Sequence, residues 1–96
     1  MAYRVEIAPA ARRQIKKLKK ATQKRIIASI EALGGNPRPS GVKEFSAARE
    51  LYRVREGDYR IIYQVQDEVL LVLVVKIGHR KDVYRPLFAP LQEKLK

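Results

Sequence analysis

The sequence predicts an α+β domain in which a two-helix hairpin packs on a small, mostly antiparallel four-stranded sheet, in the order β-α-α-β-β-β. Three observations carry this expectation. After a short alternating start, apolar residues recur at helical spacing through the first third of the chain. Gly34-Gly35-Asn36-Pro37 then interrupts the helical pattern. From Leu51 onward, apolar runs of strand length are separated by short polar turns.

Tyr3, Val5 and Ile7 alternate with Arg4 and Glu6, the period of a strand. Ala8-Pro9 opens a helix, because proline's fixed φ suits the first turn. Ala11, Ile15 and Leu18 fall on one face of it, and Arg12, Arg13, Lys16, Lys17, Lys19 and Lys20 cover the rest. Thr22 is the expected N-cap of the second helix, whose buried stripe is Ile26, Ile27, Ile30 and Leu33. A loop runs on through Arg38-Pro39-Ser40-Gly41. Leu51–Glu56 and Tyr59–Gln66 read as a hairpin about a Gly57-Asp58 turn. Asp67-Glu68 is the next expected turn, and Val69–Ile77 a central strand ended by Gly78. Pro86 and Pro90 confine any further helix to Leu91–Lys96. The chain thus reads as a single domain over 1–96, with 86–96 as a flexible or short helical tail. The sheet face away from the helices is left open or covered by a partner.

A chain of 96 residues, 46 % of them hydrophobic, can bury one modest core. No apolar run approaches the roughly 20 residues of a membrane span, and Met1-Ala2-Tyr3-Arg4 lacks the layout of a signal peptide. The chain has no cysteine, which removes disulfides, thiolate nucleophiles and Cys-ligated zinc from consideration. These features point to a cytoplasmic protein without a membrane partner. One histidine and scattered acids give no metal-ligand pattern, and no cofactor is expected.

Charge is the informative feature. Lys plus Arg number 21 against 10 acids, a net of +11, and such a field attracts polyanions. Residues 1–20 alone carry seven basic residues and one acid. Lys16, Lys17 and Lys20 are candidate phosphate contacts within that block.

The sharper candidates lie on the hairpin. A Gly57-Asp58 turn pairs Glu56 with Tyr59, Arg55 with Arg60, Val54 with Ile61 and Arg53 with Ile62. Strand side chains alternate, so Arg53, Arg55 and Arg60 share one face, and Tyr52, Val54, Ile61 and Tyr63 share the core face. Like charges directly opposite destabilise a hairpin, so nothing in folding calls for Arg55 across from Arg60. A phosphate between them removes the repulsion and accepts paired hydrogen bonds. The competing reading is solvated arginines above water. A turn at Asp67-Glu68 pairs Ile62 with Leu73 and Arg60 with Val75, which continues the arginine face through Ile77 and His79. Histidine exchanges protons near neutral pH, which suits general acid–base work. Tyr84, a few residues on, can stack on a base or move a proton; the competing reading is an ordinary packing aromatic.

Leu51-Tyr52-Arg53-Val54-Arg55, Asp58-Tyr59-Arg60-Ile61-Ile62-Tyr63 and Val74-Val75-Lys76-Ile77-Gly78-His79-Arg80-Lys81-Asp82-Val83-Tyr84 resemble the RelE branch of the RelE/ParE toxins. The resemblance runs over roughly residues 2–85 and is carried by these later blocks. It implies a RelE-like fold and messenger RNA cleavage in the ribosomal decoding site. It also implies a cognate antitoxin that wraps around the chain and silences it. It puts Arg53, Arg55, Arg60, Arg80 and Tyr84 at the family's active-site positions, with His79 beside one of them. One departure matters: the best-known RelE toxins carry lysines at the first two positions. Arginine holds its proton, so Arg53 and Arg55 are phosphate clamps rather than bases.

The expected chemistry is metal-independent attack of the ribose 2′-hydroxyl on the adjacent phosphate, giving a 2′,3′-cyclic phosphate. Arg60 and Arg80 hold the developing charge, Arg53 and Arg55 position the backbone, and His79, Tyr84 or a group of the ribosome moves protons. The expected partners are an acidic antitoxin in a hetero-oligomeric complex, the ribosome and messenger RNA. The alternative is a ParE-like toxin that poisons DNA gyrase without hydrolytic chemistry. A third reading, a non-catalytic RNA-binding module, lacks the interleaved aromatics of a stacking platform.

Overall fold

The computed structural model describes residues 2–46 and 50–81. They form β1 (Arg4–Ile7), α1 (Pro9–Lys16), α2 (Lys20–Gly35), β2 (Lys43–Ser46), β3 (Leu51–Glu56), β4 (Tyr59–Gln66), a 3₁₀ turn (Asp67–Val69) and β5 (Leu71–His79). The sheet order is β1-β5-β4-β3-β2, with β1 parallel to β5 and every other pair antiparallel. The α+β class and the helical hairpin agree with the sequence, but the sheet has five strands rather than four. The added strand, β2, shows no alternation of its own. It lies at the sheet edge, and its pairing with β3 slips between Glu44 and Ser46. Its extended state comes from a long-range partner rather than a local pattern. The expected Leu91–Lys96 helix lies outside the described residues.

Pro9 sits in the first turn of α1 as expected, and α2 ends at Gly35. Thr22 is not a cap: α2 begins at Lys20, with Lys19 at the N-cap and no side-chain capping bond. The reason lies in the connection between the helices. Gln23 Nε2 donates to the Leu18 carbonyl at 2.7 Å, so the first turn of α2 closes the end of α1 and leaves room for only a short link.

The helices cover one sheet face. Ile15, Ile26, Ile30 and Leu33 pack there against Ile61, Tyr63, Val65, Val72, Val74 and Ile77, with Ile27 half-buried at the margin. Tyr63 is fully buried in this core and donates its hydroxyl to the Pro37 carbonyl at 2.7 Å. Burial pushes that hydroxyl's ionisation up to about 12.

The β3–β4 hairpin has the expected register, including Arg55 opposite Arg60. Gly57 stands at φ 61°, the left-handed backbone that a two-residue hairpin turn asks of its first residue. The β4–β5 register differs from expectation in two ways. The connection spans Asp67–Leu70, with Leu70 left-handed at φ 51°, so the first pair is Gln66 with Leu71. Further along, Tyr63 pairs with Val74 but Ile62 pairs with Lys76, so Val75 is an extra residue in β5. One extra residue reverses the alternation beyond it. Ile77 therefore faces Ile61 in the core, and His79 faces Tyr59, while Lys76 and Gly78 take the other face. The expectation that Ile77 and His79 continue the arginine face is thereby corrected. So is the expectation that Gly78 ends the strand, since β5 runs to His79.

The bulge has a visible support. β1 stops at Ile7, opposite Val74, and leaves the rest of β5 without a strand on that side. Gln14 of α1 fills the gap, its Oε1 accepting the Ile77 backbone N–H at 2.8 Å.

Candidate nucleic-acid interface

On the face away from the helices, the register aligns side chains in two rows across the sheet. Lys43, Arg53, Ile62 and Lys76 form one; Arg55, Arg60 and Gly78 form the other. Strand spacing sets about 14 Å from Lys43 to Lys76, and about 7 Å between the rows. Five cations thus stand on a patch the size of a few nucleotides, and neither row contains an acid. Gly41, Lys43, Arg53, Arg55 and Arg60 line a shallow cleft of about 300 Å³.

The like-charged pair has a shared anchor. Arg55 Nε and Arg60 Nη1 both approach the Gly57 carbonyl, at 3.3 and 3.5 Å, and Arg60 Nη1 also donates to the Tyr59 carbonyl at 3.3 Å. The turn carbonyl draws the two guanidiniums to one end of the hairpin. Each guanidinium carries five N–H donors in a planar fork, so donors remain for a phosphate. Gly78, across from Arg60, adds no side chain and leaves that end of the patch low.

Arg80 comes to the same end. Its backbone N–H donates to the Asp58 carbonyl at 2.8 Å, which ties the residue after β5 to the hairpin turn. His79 stands on the other face, its ring edge-on to Tyr59 with centroids 5.9 Å apart. Its Nδ1 accepts the Lys81 backbone N–H at 3.3 Å. Tyr84 lies outside the described residues. Lys16, Lys17 and Lys20 are exposed at the α1–α2 junction, in the helical layer rather than on the arginine face. The structure therefore brings Arg53, Arg55 and Arg60 onto one face, ties the Arg80 backbone to the hairpin turn at its end, and sets His79 and the three helical lysines apart.

Two cations of the patch escaped the sequence reading. Lys43 gave no signal, because its strand gave none. Lys76 did give one: it is the single charge in the Val69–Ile77 run, and a charge inside a buried strand demands an explanation. It is only 9 % exposed, and burial pushes its ammonium below the ordinary lysine range.

At the opposite end of the sheet, Asp67 organises a clasp. Arg38 Nη1 and Nη2 donate to its two carboxylate oxygens at 3.2 and 2.8 Å, and the Tyr3 hydroxyl donates to Oδ1 at 2.5 Å. Arg38 Nε also donates to the Tyr52 hydroxyl at 3.0 Å. The clasp joins the chain before β1, the loop after α2, β3 and the β4–β5 connection. Among the described residues, no three His, Cys, Asp or Glu side chains cluster as metal ligands would. No helix among them is long and apolar enough to cross a membrane.

Residues 5–84 match the family model described as the ParE toxin of the type II toxin–antitoxin system parDE. The chain belongs to the RelE/ParE family of toxins. Its relatives include the toxin RelG of Mycobacterium tuberculosis, 33 % identical over 90 residues that cover 88 % of this chain and 99 % of that one. Among solved structures, RelE from the archaeal RelE–RelB complex of Pyrococcus horikoshii aligns with a TM-score of 0.77 at 30 % identity, over 85 % of this chain and 99 % of that one. The toxin–antitoxin complex RelBE of Escherichia coli aligns with a TM-score of 0.70 at 22 % identity, over 81 % of this chain and 96 % of its own, a likeness of fold. The RelE/ParE fold thus carries the arginine face of this chain on the sheet side that its helices leave uncovered.

Proposed function

We propose that this RelE-type toxin is a ribosome-dependent endoribonuclease that cuts messenger RNA in the decoding site and so blocks translation. The observation that carries the reading is Arg55 opposite Arg60, with Arg53, Lys43 and Lys76 on the same face. Folding alone has no use for Lys43, Arg53, Arg55 and Arg60 side by side; a polyphosphate backbone does. The 2′-oxygen attacks the adjacent phosphorus, and the products are a 2′,3′-cyclic phosphate and a 5′-hydroxyl, with no metal taking part. Arg60 and Arg80 stabilise the charge that develops on the phosphorane oxygens. Arg53, Arg55 and Lys43 hold the flanking backbone. Tyr84 is a further candidate for the site, from its place in the sequence. A chemistry that begins at the 2′-hydroxyl selects RNA over DNA.

The partner that silences such a face in the cytoplasm is an acidic antitoxin, whose carboxylates meet the arginines and whose association slows as salt rises. The relative solved as an archaeal RelE–RelB complex supports an antitoxin partner.

The test is primer extension on a defined message translated with and without the purified toxin. The reading expects cuts confined to the codon in the decoding site, bearing 2′,3′-cyclic phosphate ends. The ParE name of the matching family model favours a second reading, poisoning of DNA gyrase without hydrolysis. An intact message together with gyrase-dependent breaks in supercoiled plasmid would establish it instead.

A further inference from the structure

We propose that Lys76, the β5 residue of the row formed with Lys43, Arg53 and Ile62, accepts the proton of the attacking 2′-hydroxyl. The assignment rests on the RNA-cleaving reading above. Internal transfer of a phosphate needs a group that removes the 2′-proton, and among the described residues the candidates on this face are few. Arg53, Arg55 and Arg60 hold their protons at any physiological pH. His79 faces Tyr59 on the other side of the sheet. Of the two lysines, Lys43 is exposed on the edge strand, where water hydrates its ammonium, whereas Lys76 is 9 % exposed on an inner strand.

The surroundings of Lys76 favour a neutral amine. Ile62, directly across on β4, has no exposed surface. Arg60 lies diagonally across on the same strand, and Arg53 lies beyond Ile62 in the row. Like charges at this range disfavour a further cation. Burial acts in the same direction. Gly78 and Leu73 flank Lys76 along β5 and carry no charge. Glu6 of β1, paired with Leu73, is engaged by Arg4 at 2.9 Å. Gln14 of α1 meets the strand at the Ile77 N–H. Among the described residues no carboxylate forms an ion pair with Lys76.

The Lys76 Nζ lone pair takes the 2′-proton, the O2′–P bond forms and the P–O5′ bond breaks. The departing 5′-oxygen takes a proton from water, and the Lys76 ammonium returns its own to solvent. Arg60, two residues from Ile62 on the adjacent strand, is placed to hold the phosphorane charge beside it.

Lys76→Arg decides the matter, because arginine holds its proton across this pH range and cannot serve as the base. Single-turnover cleavage on ribosomes is measured from pH 5.5 to 9 with the unmutated chain, Lys76→Arg and Lys76→Met. The unmutated rate should rise about tenfold per pH unit and then level off. Both variants should fall by about 10²–10⁴-fold and lose that rise, while retaining binding to ribosomes. Lys76→Arg with full activity and an unchanged profile would reduce Lys76 to a charge and overturn the assignment. Should either variant fail to fold, NMR titration of Nζ in the unmutated chain is the second measurement. Titration at the ordinary lysine value overturns the assignment; titration clearly below it, at the same midpoint as the rise in the cleavage rate, upholds it. Failure of the unmutated chain to cleave RNA on ribosomes overturns the functional reading, and this assignment with it.

Discussion

The Gln14 side chain accepts the Ile77 backbone N–H at 2.8 Å, at the point where β1 has ended and β5 has no strand beside it. This bond fastens the segment just after the Val75 bulge. The bulge in turn aims Lys76 toward the arginines and Ile77 into the core. Gln14→Ala leaves a buried N–H unpaired, which costs about 1–3 kcal/mol. For a domain of this size that is a drop in Tm of several degrees per kcal/mol. Gln14→Glu keeps an acceptor at the same reach and should melt closer to the unmutated chain. Thermal unfolding of the three proteins checks this, and equal midpoints for Gln14→Ala and the unmutated chain would deny the bond any hold on the bulge.

Arg60→Ala should cut RNA cleavage by about 10²–10³-fold, the scale of one lost transition-state donor. The domain should stay folded, because the substitution removes a like charge opposite Arg55. Single-turnover rates and a thermal melt of one preparation test both halves. A variant that unfolds while Arg60→Lys is fully active would make Arg60 a structural residue.

The Asp67 clasp gives stability a pH dependence with a definite sign. Hydrogen bonding from Arg38, then from Tyr3, holds the Asp67 carboxyl below the usual carboxylate range. Its contribution is therefore complete above the unfolded carboxylate value of about 4 and lost as pH falls through the lower folded value. The Tyr3 hydroxyl is raised, chiefly by its hydrogen bond to Asp67, so its contribution is complete below about pH 10 and lost above the folded value. The clasp thus operates between roughly pH 4 and 10. Asp67→Asn should lower Tm at pH 7 and flatten the fall in Tm below pH 4. Melting curves from pH 2.5 to 7 would reveal an acid limb unchanged in Asp67→Asn if other carboxylates govern it.

The sequence made some of this arrangement legible and hid the rest for physical reasons. Gly57-Asp58 fixes a hairpin by itself, because a two-residue turn leaves one register, so the pairing of Arg55 with Arg60 could be read directly. Both helices announced themselves through spacing and through Pro9 and Gly35. The β4–β5 connection did not, because Asp67-Glu68 resembles a tight turn, whereas Leu70 takes a left-handed backbone no residue-type rule assigns to leucine. The bulge was hidden more deeply: Val74 and Val75 are identical side chains, and which of them goes unpaired is decided by Ile77 reaching the core and by Gln14, 63 residues away in sequence. From that one residue follow the wrong face for His79 and the missed place of Lys76. Strand β2 was illegible because a short edge strand takes its conformation from its neighbour.

His79→Gln tests that face assignment in solution. The imidazole stands edge-on to Tyr59, and its Nδ1 holds the Lys81 backbone N–H, in the segment that carries Arg80. A side chain there positions Arg80 from the far face and does not touch RNA lying on the arginines. Glutamine keeps an acceptor for the Lys81 N–H but loses the ring contact, so the effect should be modest. The cleavage rate should fall by less than about tenfold, a little over 1 kcal/mol, and the rise of the rate with pH should be retained. Lys76→Arg, by contrast, should erase the pH dependence. Single-turnover cleavage by both variants over that range separates a positioning histidine from a proton carrier. A profile flattened by His79→Gln would put the imidazole in the proton transfer and require β5 to turn its end toward the arginines when RNA binds.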